Sequence, residues 1–463
     1  MRDKSQRRKW AIPIAVALAF CSCHRAGGPT ADTPERSSSD NEGTVGGVAK
    51  QSLTNESAVA QQYFWQGDFD SAKSAAQKVL LESPNDVDAL KLLAQIHAAT
   101  KDYAAAADVH RQLASEEIPG RLNLLLQAFD WNVRAGRFDQ AENDLLRAIE
   151  LGIDDSRATQ VLCQLFNSQG RRHEACQQAI QLARRGALKS AELHSLLDRS
   201  GPFQLVSFAE FIPSDRITLF DLGEARILDT VQQEHDAALA KVQAVSDSLP
   251  SHPAVEAMRG KLLALRTGSQ DALEQWHRSL PDKIEQQPEY WFAIGIWQRD
   301  AGQDRSAIRS FAEAVRRDPT DRLAMREIES ALIRLGEDSK AQSIRKTIAV
   351  LDEIYRRSDR TALTGQHANW IASRMQELVR PWESLGWYQY ALALQGNAVV
   401  SERVLAERRA KIAQWENANG EAKIRDARLK KLLAFSLDEF PIVDPPSADR
   451  LQERFTEGDG ELP

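Results

Sequence analysis

Residues 289–321, EYWFAIGIWQRDAGQDRSAIRSFAEAVRRDPTD, read as two short helices joined at Gly302 and stopped at Pro319. Five places after Gly302 stands Ala307, and the same Gly-x4-Ala step recurs at Gly67/Ala72, Gly136/Ala141, Gly170/Ala175 and Gly336/Ala341. Gly136 and Gly170 are 34 residues apart, as are Gly302 and Gly336, and extending that register puts Ala106, Ala238 and Ala272 in the alanine slot. Pro84, Pro119, Pro250 and Pro319 fall near the ends of second helices. Each slot has a mechanical reason. Glycine takes the left-handed backbone that ends the first helix. Alanine lets the second helix cross the first closely, and proline stops it. Large apolar residues fill the rest of each hairpin, such as Trp291, Ile294, Phe311 and Val315, or Leu125, Phe129, Leu145 and Ile149. One hairpin cannot bury that much surface, but stacked neighbours can.

The pattern resembles the tetratricopeptide repeat (TPR) family: Trp291, Gly295, Gly302, Ala307, Phe311, Ala314 and Pro319 occupy its signature slots. Units start near 53, 87, 122, 156, 219, 253, 288 and 322, giving repeats over 53–189 and 219–355. Residues 190–218 read as a shortened unit and 356–398 as a degenerate one. The resemblance implies an all-α fold, a right-handed α-solenoid of TPR helix hairpins closed by a C-terminal capping helix. First helices of this family line the concave face, which implies partner binding at Lys261, Phe292, Ile296, Arg299, Arg326 and Arg334. Basic positions with apolar interruptions suit an acidic, partly apolar segment of a protein partner. Any one of these residues is equally at home on a solvated helix face. The carboxylate clamp of chaperone-binding members is absent, since Lys91 is followed by Gln95 rather than asparagine. The stretches QWHRSLPDKIEQQPEYWFAIGIWQRDAGQ and FSLDEFPIVD also resemble the TPR region that accompanies ASPIC/UnbV FG-GAP propeller modules. No such module occurs in these 463 residues, so the likeness implies a module that is missing or supplied by another chain as a propeller-type partner.

The chain carries a net charge of −7, which argues against nucleic acid, whose binders show a basic stripe. Residues 1–23 have a basic head, the apolar run WAIPIAVALAF and CSC, the layout of an export signal. Eleven apolar residues rise ~16 Å as a helix, too short for a bilayer core of ~30 Å. Cys21 and Cys23 resemble a lipoprotein processing site, Cys23 having the small residue Ser22 immediately before it. A periplasmic or envelope protein, tethered by a lipid anchor, is expected; a plain cleaved signal is the alternative. Residues 24–52, rich in Gly, Ser, Thr and Asp, read as a disordered tether. Residues 399–435 read as the capping helix, with Leu405, Ile412, Trp415, Leu429 and Leu432 on buried faces. From Ser436 the tail holds eight acidic and two basic residues and reads as disordered or as a short docking segment.

Catalytic chemistry is sought and not found. There is no phosphate-binding loop, no Gly-x-Ser-x-Gly, no His-Glu-x-x-His and no Cys-x-x-Cys pair, and the nine histidines lack ligand spacing. No cofactor and no metal is expected. Cys163, His173 and Cys176 form the one constellation, read as buried thiols, a disulfide between Cys163 and Cys176, or a metal site. The aromatics Trp370, Trp382, Trp387, Tyr388 and Tyr390, and Phe203, Phe208, Phe211 and Phe220, read as packing before binding. A non-catalytic scaffold is therefore expected. The rival is an enzyme or cofactor-binding protein with its site in 190–218 or 356–398.

Overall fold

The structure, a computed structural model, describes residues 46–197, 216–266, 270–359, 362–395 and 398–443. The chain divides into a unit ending at Thr54 and a larger unit, Asn55–Pro463. The first is described from Gly46, where α1 (Gly46–Gln66) begins, inside the stretch expected to be tether. From Val48 to Gln66 neither glycine nor proline interrupts the sequence, so nothing there breaks a helix. The expected export signal, with Cys21 and Cys23, lies outside the described residues.

Among the described residues there is no strand. The regular hairpins are formed by α1 with α2 (Phe69–Glu82), α3 (Val87–Ala99) with α4 (Tyr103–Ser115), α5 (Arg121–Arg134) with α6 (Phe138–Glu150), and α7 (Arg157–Ser168) with α8 (Arg172–Arg185). The short α9 (Ser190–Ser195) follows, and most of the expected shortened repeat lies outside the described residues. Then come α10 (Leu219–Ile227), which runs into a π-helical turn at Leu228–Gln232, and α11 (His235–Ser248), α12 (Pro253–Leu265) and the stub α13 (Gln270–His277). Hairpins α14 (Pro288–Asp300) with α15 (Asp304–Arg317), α16 (Arg322–Arg334) with α17 (Asp338–Arg357), and α18 (Gly365–Glu377) with α19 (Pro381–Leu394) complete the array. The last two helices are α20 (Ala398–Asn419) and α21 (Glu421–Leu433). The fold class is thus all-α, a succession of TPR-type hairpins each packed on the next.

The hairpins close as the slots require. Gly67, Gly136, Gly170, Gly302 and Gly336 have φ between +68° and +78°. Ala72, Ala106, Ala141, Ala175, Ala238, Ala307 and Ala341 are all buried. Ala272 is half-buried, because α13 stops after eight residues and offers little helix to cross. In the quoted unit a Cβ on Gly295 would come 2.6 Å from the Phe311 ring, so the glycine makes room for the phenylalanine of the opposite helix. Aspartates 68, 86, 102 and 321 cap helices by accepting the N–H groups of Ser71, Ala89, Ala105 and Ala324. A single apolar core runs from Leu90 to Phe440, with two smaller clusters beside it.

Two features depart from a simple neighbour-to-neighbour stack. The backbone of α10 meets the end of α7 where a Cβ on Gly223 would lie 2.1 Å from the Ser168 carbonyl oxygen. Helix α8 packs against α19, more than 190 residues later. The expected single capping helix is also two helices. Gly420 adopts φ 76°, ψ 151°, which only glycine takes readily, and α21 turns back over the second helices α15 and α17. Of the two readings of the acidic tail, the described part fits the docking segment. Residues 436–443 dock on the array, because Leu437 and Phe440 find apolar cover and Glu439 finds a lysine; 444–463 lie outside the described residues.

Candidate interaction surfaces

The six residues expected to line one open groove do not share it. Phe292 and Ile296 are fully buried, since α14 packs on α12 as well as on α15 and has apolar neighbours on most sides. Lys261 is buried too, and its ammonium pairs with Asp229, which the π-helical turn after α10 directs inward. His235 Nδ1 lies 2.9 Å from the other oxygen of Asp229. Arg299 is half-buried between Asp300, at 2.7 Å, and Glu327, at 2.8 Å. Arg334 is exposed and grips Asp304 of the preceding hairpin at 2.5 Å. Arg326 stays in solvent, 61% exposed, with Asp352 at 3.9 Å. Beside it on the start of α16 and the end of α17 stand Leu323 and Tyr355, both about two-fifths exposed, and the Arg322 guanidinium lies over the Tyr355 ring at 5.0 Å. Phe292 and Ile296 are thus corrected as groove residues, and the exposed apolar side chains near Arg326 are instead Leu323 and Tyr355.

A buried polar seam joins helices far apart in sequence. Arg226 donates through Nε to the Gly170 carbonyl at 2.9 Å and through Nη1 to Glu289 at 2.7 Å, with both side chains almost wholly buried. Arg172 lies 3.6 Å from Asp318, and Gln287 donates to Glu174 at 3.4 Å. Arg380 donates to the Leu196 carbonyl at 2.7 Å and pairs with Glu383 at 3.0 Å. Burial works to raise the Glu383 carboxyl, but Arg380 and Arg428 outweigh it and hold it below the usual glutamate range. Apart from Arg380 with Glu383, neighbours in the first turn of α19, each contact joins elements that only the fold brings together, and no sequence period announces it.

The segment after α21 forms a strap. Ala434, in the left-handed region at φ 59°, turns the chain out of the helix. Phe435 and Phe440 pack ring to ring at 5.6 Å, and Phe440 is 1% exposed. Glu439 pairs with Lys340 at 2.9 Å, and that ammonium also lies over both rings, at 5.5 Å from Phe440 and 5.9 Å from Phe435. The Glu439 carboxylate raises Lys340 above the ordinary lysine pKa. Arg309 and Arg305 reach the Leu437 and Glu439 carbonyls at 3.5 Å, and Gln298 donates to the Val443 carbonyl at 2.7 Å. Gln298 is fully buried and held in place by Ser310, which donates to its Oε1 at 2.7 Å.

A cleft of about 640 Å³ opens between α8, α19, α20 and the start of α21, lined among others by Arg184, Trp382, Arg409, Glu416 and Asn417. Of its two carboxylates, Glu416 and Glu421, Glu416 is engaged by Arg184 at 2.6 Å and by the Trp382 indole N–H at 3.3 Å. Both oxygens are thus committed to structural contacts. Trp382 and Trp387 belong to the core, while Trp370 lies under Arg357 and Arg374 and Tyr388 under Arg408. Phe220 packs edge-on against Phe138 at 4.8 Å; Phe203, Phe208 and Phe211 lie outside the described residues.

Cys163 and Cys176 are free thiols, not a disulfide. The Cys163 thiol donates to the Ala175 carbonyl at 3.3 Å, and burial pushes both thiols to higher pKa, away from the reactive thiolate. His173 lies instead beside Gln177, at 2.9 Å. Among the described residues no group of three His, Cys, Asp or Glu side chains could hold a metal, and no helix is long and apolar enough to cross a membrane.

Residues 60–120 match the family described as "Tetratricopeptide repeat", across the end of α1 and the whole of α2, α3 and α4. Similar solved structures include a tetratricopeptide repeat protein from Parabacteroides merdae, 12% identical, covering 61% of this chain and 99% of that one, with a TM-score of 0.25. The APC/C hetero-tetramer Cut9–Hcn1 is 15% identical, covers 81% and 78%, and scores 0.30. The human IFIT1 dimer with m7Gppp-AAAA is 14% identical, covers 78% and 90%, and scores 0.26. No curated relative matches the chain. The family match and the hairpins together support a TPR protein.

Proposed function

We propose that the chain is a non-catalytic scaffold, exported and tethered to the cell envelope through Cys23 or Cys21, that holds an acidic, partly apolar segment of a protein partner. TPR-type repeats as a class serve protein interaction, which supports the general reading. The observation that carries the specific one is the exposed patch of Leu323, Arg326 and Tyr355, apolar and cationic side by side. An acidic residue of the partner would meet Arg326, and an apolar neighbour would cover Leu323 and Tyr355. The propeller-type partner follows from the likeness of QWHRSLPDKIEQQPEYWFAIGIWQRDAGQ and FSLDEFPIVD to TPR regions that accompany such modules.

Affinity capture from envelope fractions tests the reading. The full chain should retain its partner, and Arg326→Glu with Tyr355→Ala should lose it while the helical circular-dichroism signal stays unchanged. Undiminished capture by that variant would remove the patch from consideration. Fatty-acid labelling that persists through both Cys23→Ser and Cys21→Ser would remove the tether.

A further inference from the structure

The strap presents main-chain carbonyls at 437, 439 and 443 to Arg309, Arg305 and Gln298. Bonds to backbone carbonyls read an extended chain whatever its side chains, as in other modes of peptide capture. Two strap side chains add the discrimination. Phe440 is an aromatic anchor in a covered site, and Glu439, immediately before it, pairs with Lys340. The Gln298 amide that donates to the strap is oriented from behind by Ser310, a bond within the α14–α15 hairpin that does not depend on the strap. Around the anchor the strap is thinly held. Ser436, Asp438, Glu439, Pro441, Ile442 and Val443 are all exposed, and the Arg305 and Arg309 bonds are long at 3.5 Å. The segment therefore lies on this surface as an extended ligand would, attached to the array by a short turn at Ala434.

We propose that the surface formed by Gln298, Arg305, Arg309 and Lys340 is a docking site for an extended peptide of a partner carrying a carboxylate immediately before an aromatic residue, and that residues 435–443 occupy it in cis as a displaceable strap. This deepens the scaffold reading and rests on it, but concerns another surface. Lys340 and Tyr355 stand near opposite ends of α17, fifteen residues apart, or roughly 22 Å along a helix. A partner with the Glu-Phe chemistry of the strap would compete with it, so the free site would appear only when such a partner displaces the chain's own segment.

The test uses the full chain and a fluorescein-labelled peptide with the sequence of residues 435–443, read by fluorescence anisotropy. Glu439→Lys with Phe440→Ala in the protein should release the strap, and this variant should bind the peptide at least tenfold more tightly than wild type. Adding Lys340→Glu should abolish that binding. A folded Glu439→Lys, Phe440→Ala chain that does not bind the peptide would overturn the proposal. If that variant loses its helical signal, hydrogen exchange on the wild type decides: excess peptide should accelerate exchange of the amides of 437–443 with α15 unaffected, and unchanged exchange overturns the proposal. Wild-type dimers in which the strap is exchanged between copies would also overturn it, by making a second copy the occupant. Failure of any arm leaves the Arg326 and Tyr355 capture result standing, so the two readings fall separately.

Discussion

The hairpin α14–α15 and the seam around Arg226 are held together by opposite means. In the hairpin, Ala307 and Gly295 bring two neighbouring helices close, Phe311 fills the space beside Gly295, and every part lies within about thirty residues. In the seam, an arginine from α10 reaches back to a carbonyl at the end of α7 and forward to a glutamate at the start of α14, 56 and 63 residues away. The first is apolar, local and repeated; the second is ionic, distant and made once. The repeat buries apolar surface unit by unit, whereas the seam ties units that are not neighbours in sequence. Neither could replace the other.

Attacking the seam should cost most. Arg226→Ala takes the cation from the buried carboxylate of Glu289 and should lower unfolding free energy by ~3–5 kcal/mol in urea titration. Replacing the pair by Arg226→Met with Glu289→Leu should recover most of that loss if the seam serves specificity more than stability. Acid should come next. His110, in α4, is buried with Nδ1 unpartnered, and burial lowers its pKa to about 4. Its folded pKa lies below its unfolded value, so the contribution is complete above about pH 6.5 and disappears as pH falls towards 4. The loss at pH 4 should approach ~3 kcal/mol, and His110→Gln should flatten that part of the pH profile. In the local region, Ala307→Leu should overpack the crossing and cost ~1–3 kcal/mol, and an unchanged melting temperature would contradict the packing described.

The smallest expected effect is a gain. Lys101 holds the hairpin turn of α3–α4 at φ 62° with an exposed side chain, so Lys101→Gly should relieve backbone strain and stabilise by ~1 kcal/mol in thermal melts. The same position shows how far the sequence could be read. Where glycine marks the turn, as at 67, 136, 170, 302 and 336, a single residue type announces the hairpin. Lys101, Gln233 and Val379 make the same turn without announcing it, because the surrounding packing forces the conformation. The alanine register was legible at two of these turns, where buried Ala106 and Ala238 follow five places on, but not after Val379, where Ser384 takes the slot. Exposure was not legible. Phe292 and Ile296 sit at first-helix positions that family precedent turns outward, but packing on α12 buries them. Arg326 stayed exposed because, among the described residues, the carboxylate paired with it, Asp352, lies 3.9 Å away. Short-range rules write themselves in periods; the seam and the strap depend on elements more than fifty residues apart and leave no period to find.

The strap's position late in the chain has a consequence in time. Lys340 leaves the ribosome 100 residues before Phe440. At ~5–20 residues per second, translation leaves an interval of ~5–20 s in which the helices beneath are complete and their own cover is still unmade. Under the proposed docking role, a neighbouring polypeptide with an acidic-aromatic pair would meet no competitor during that interval, and the order of synthesis would favour assembly with a partner made close by.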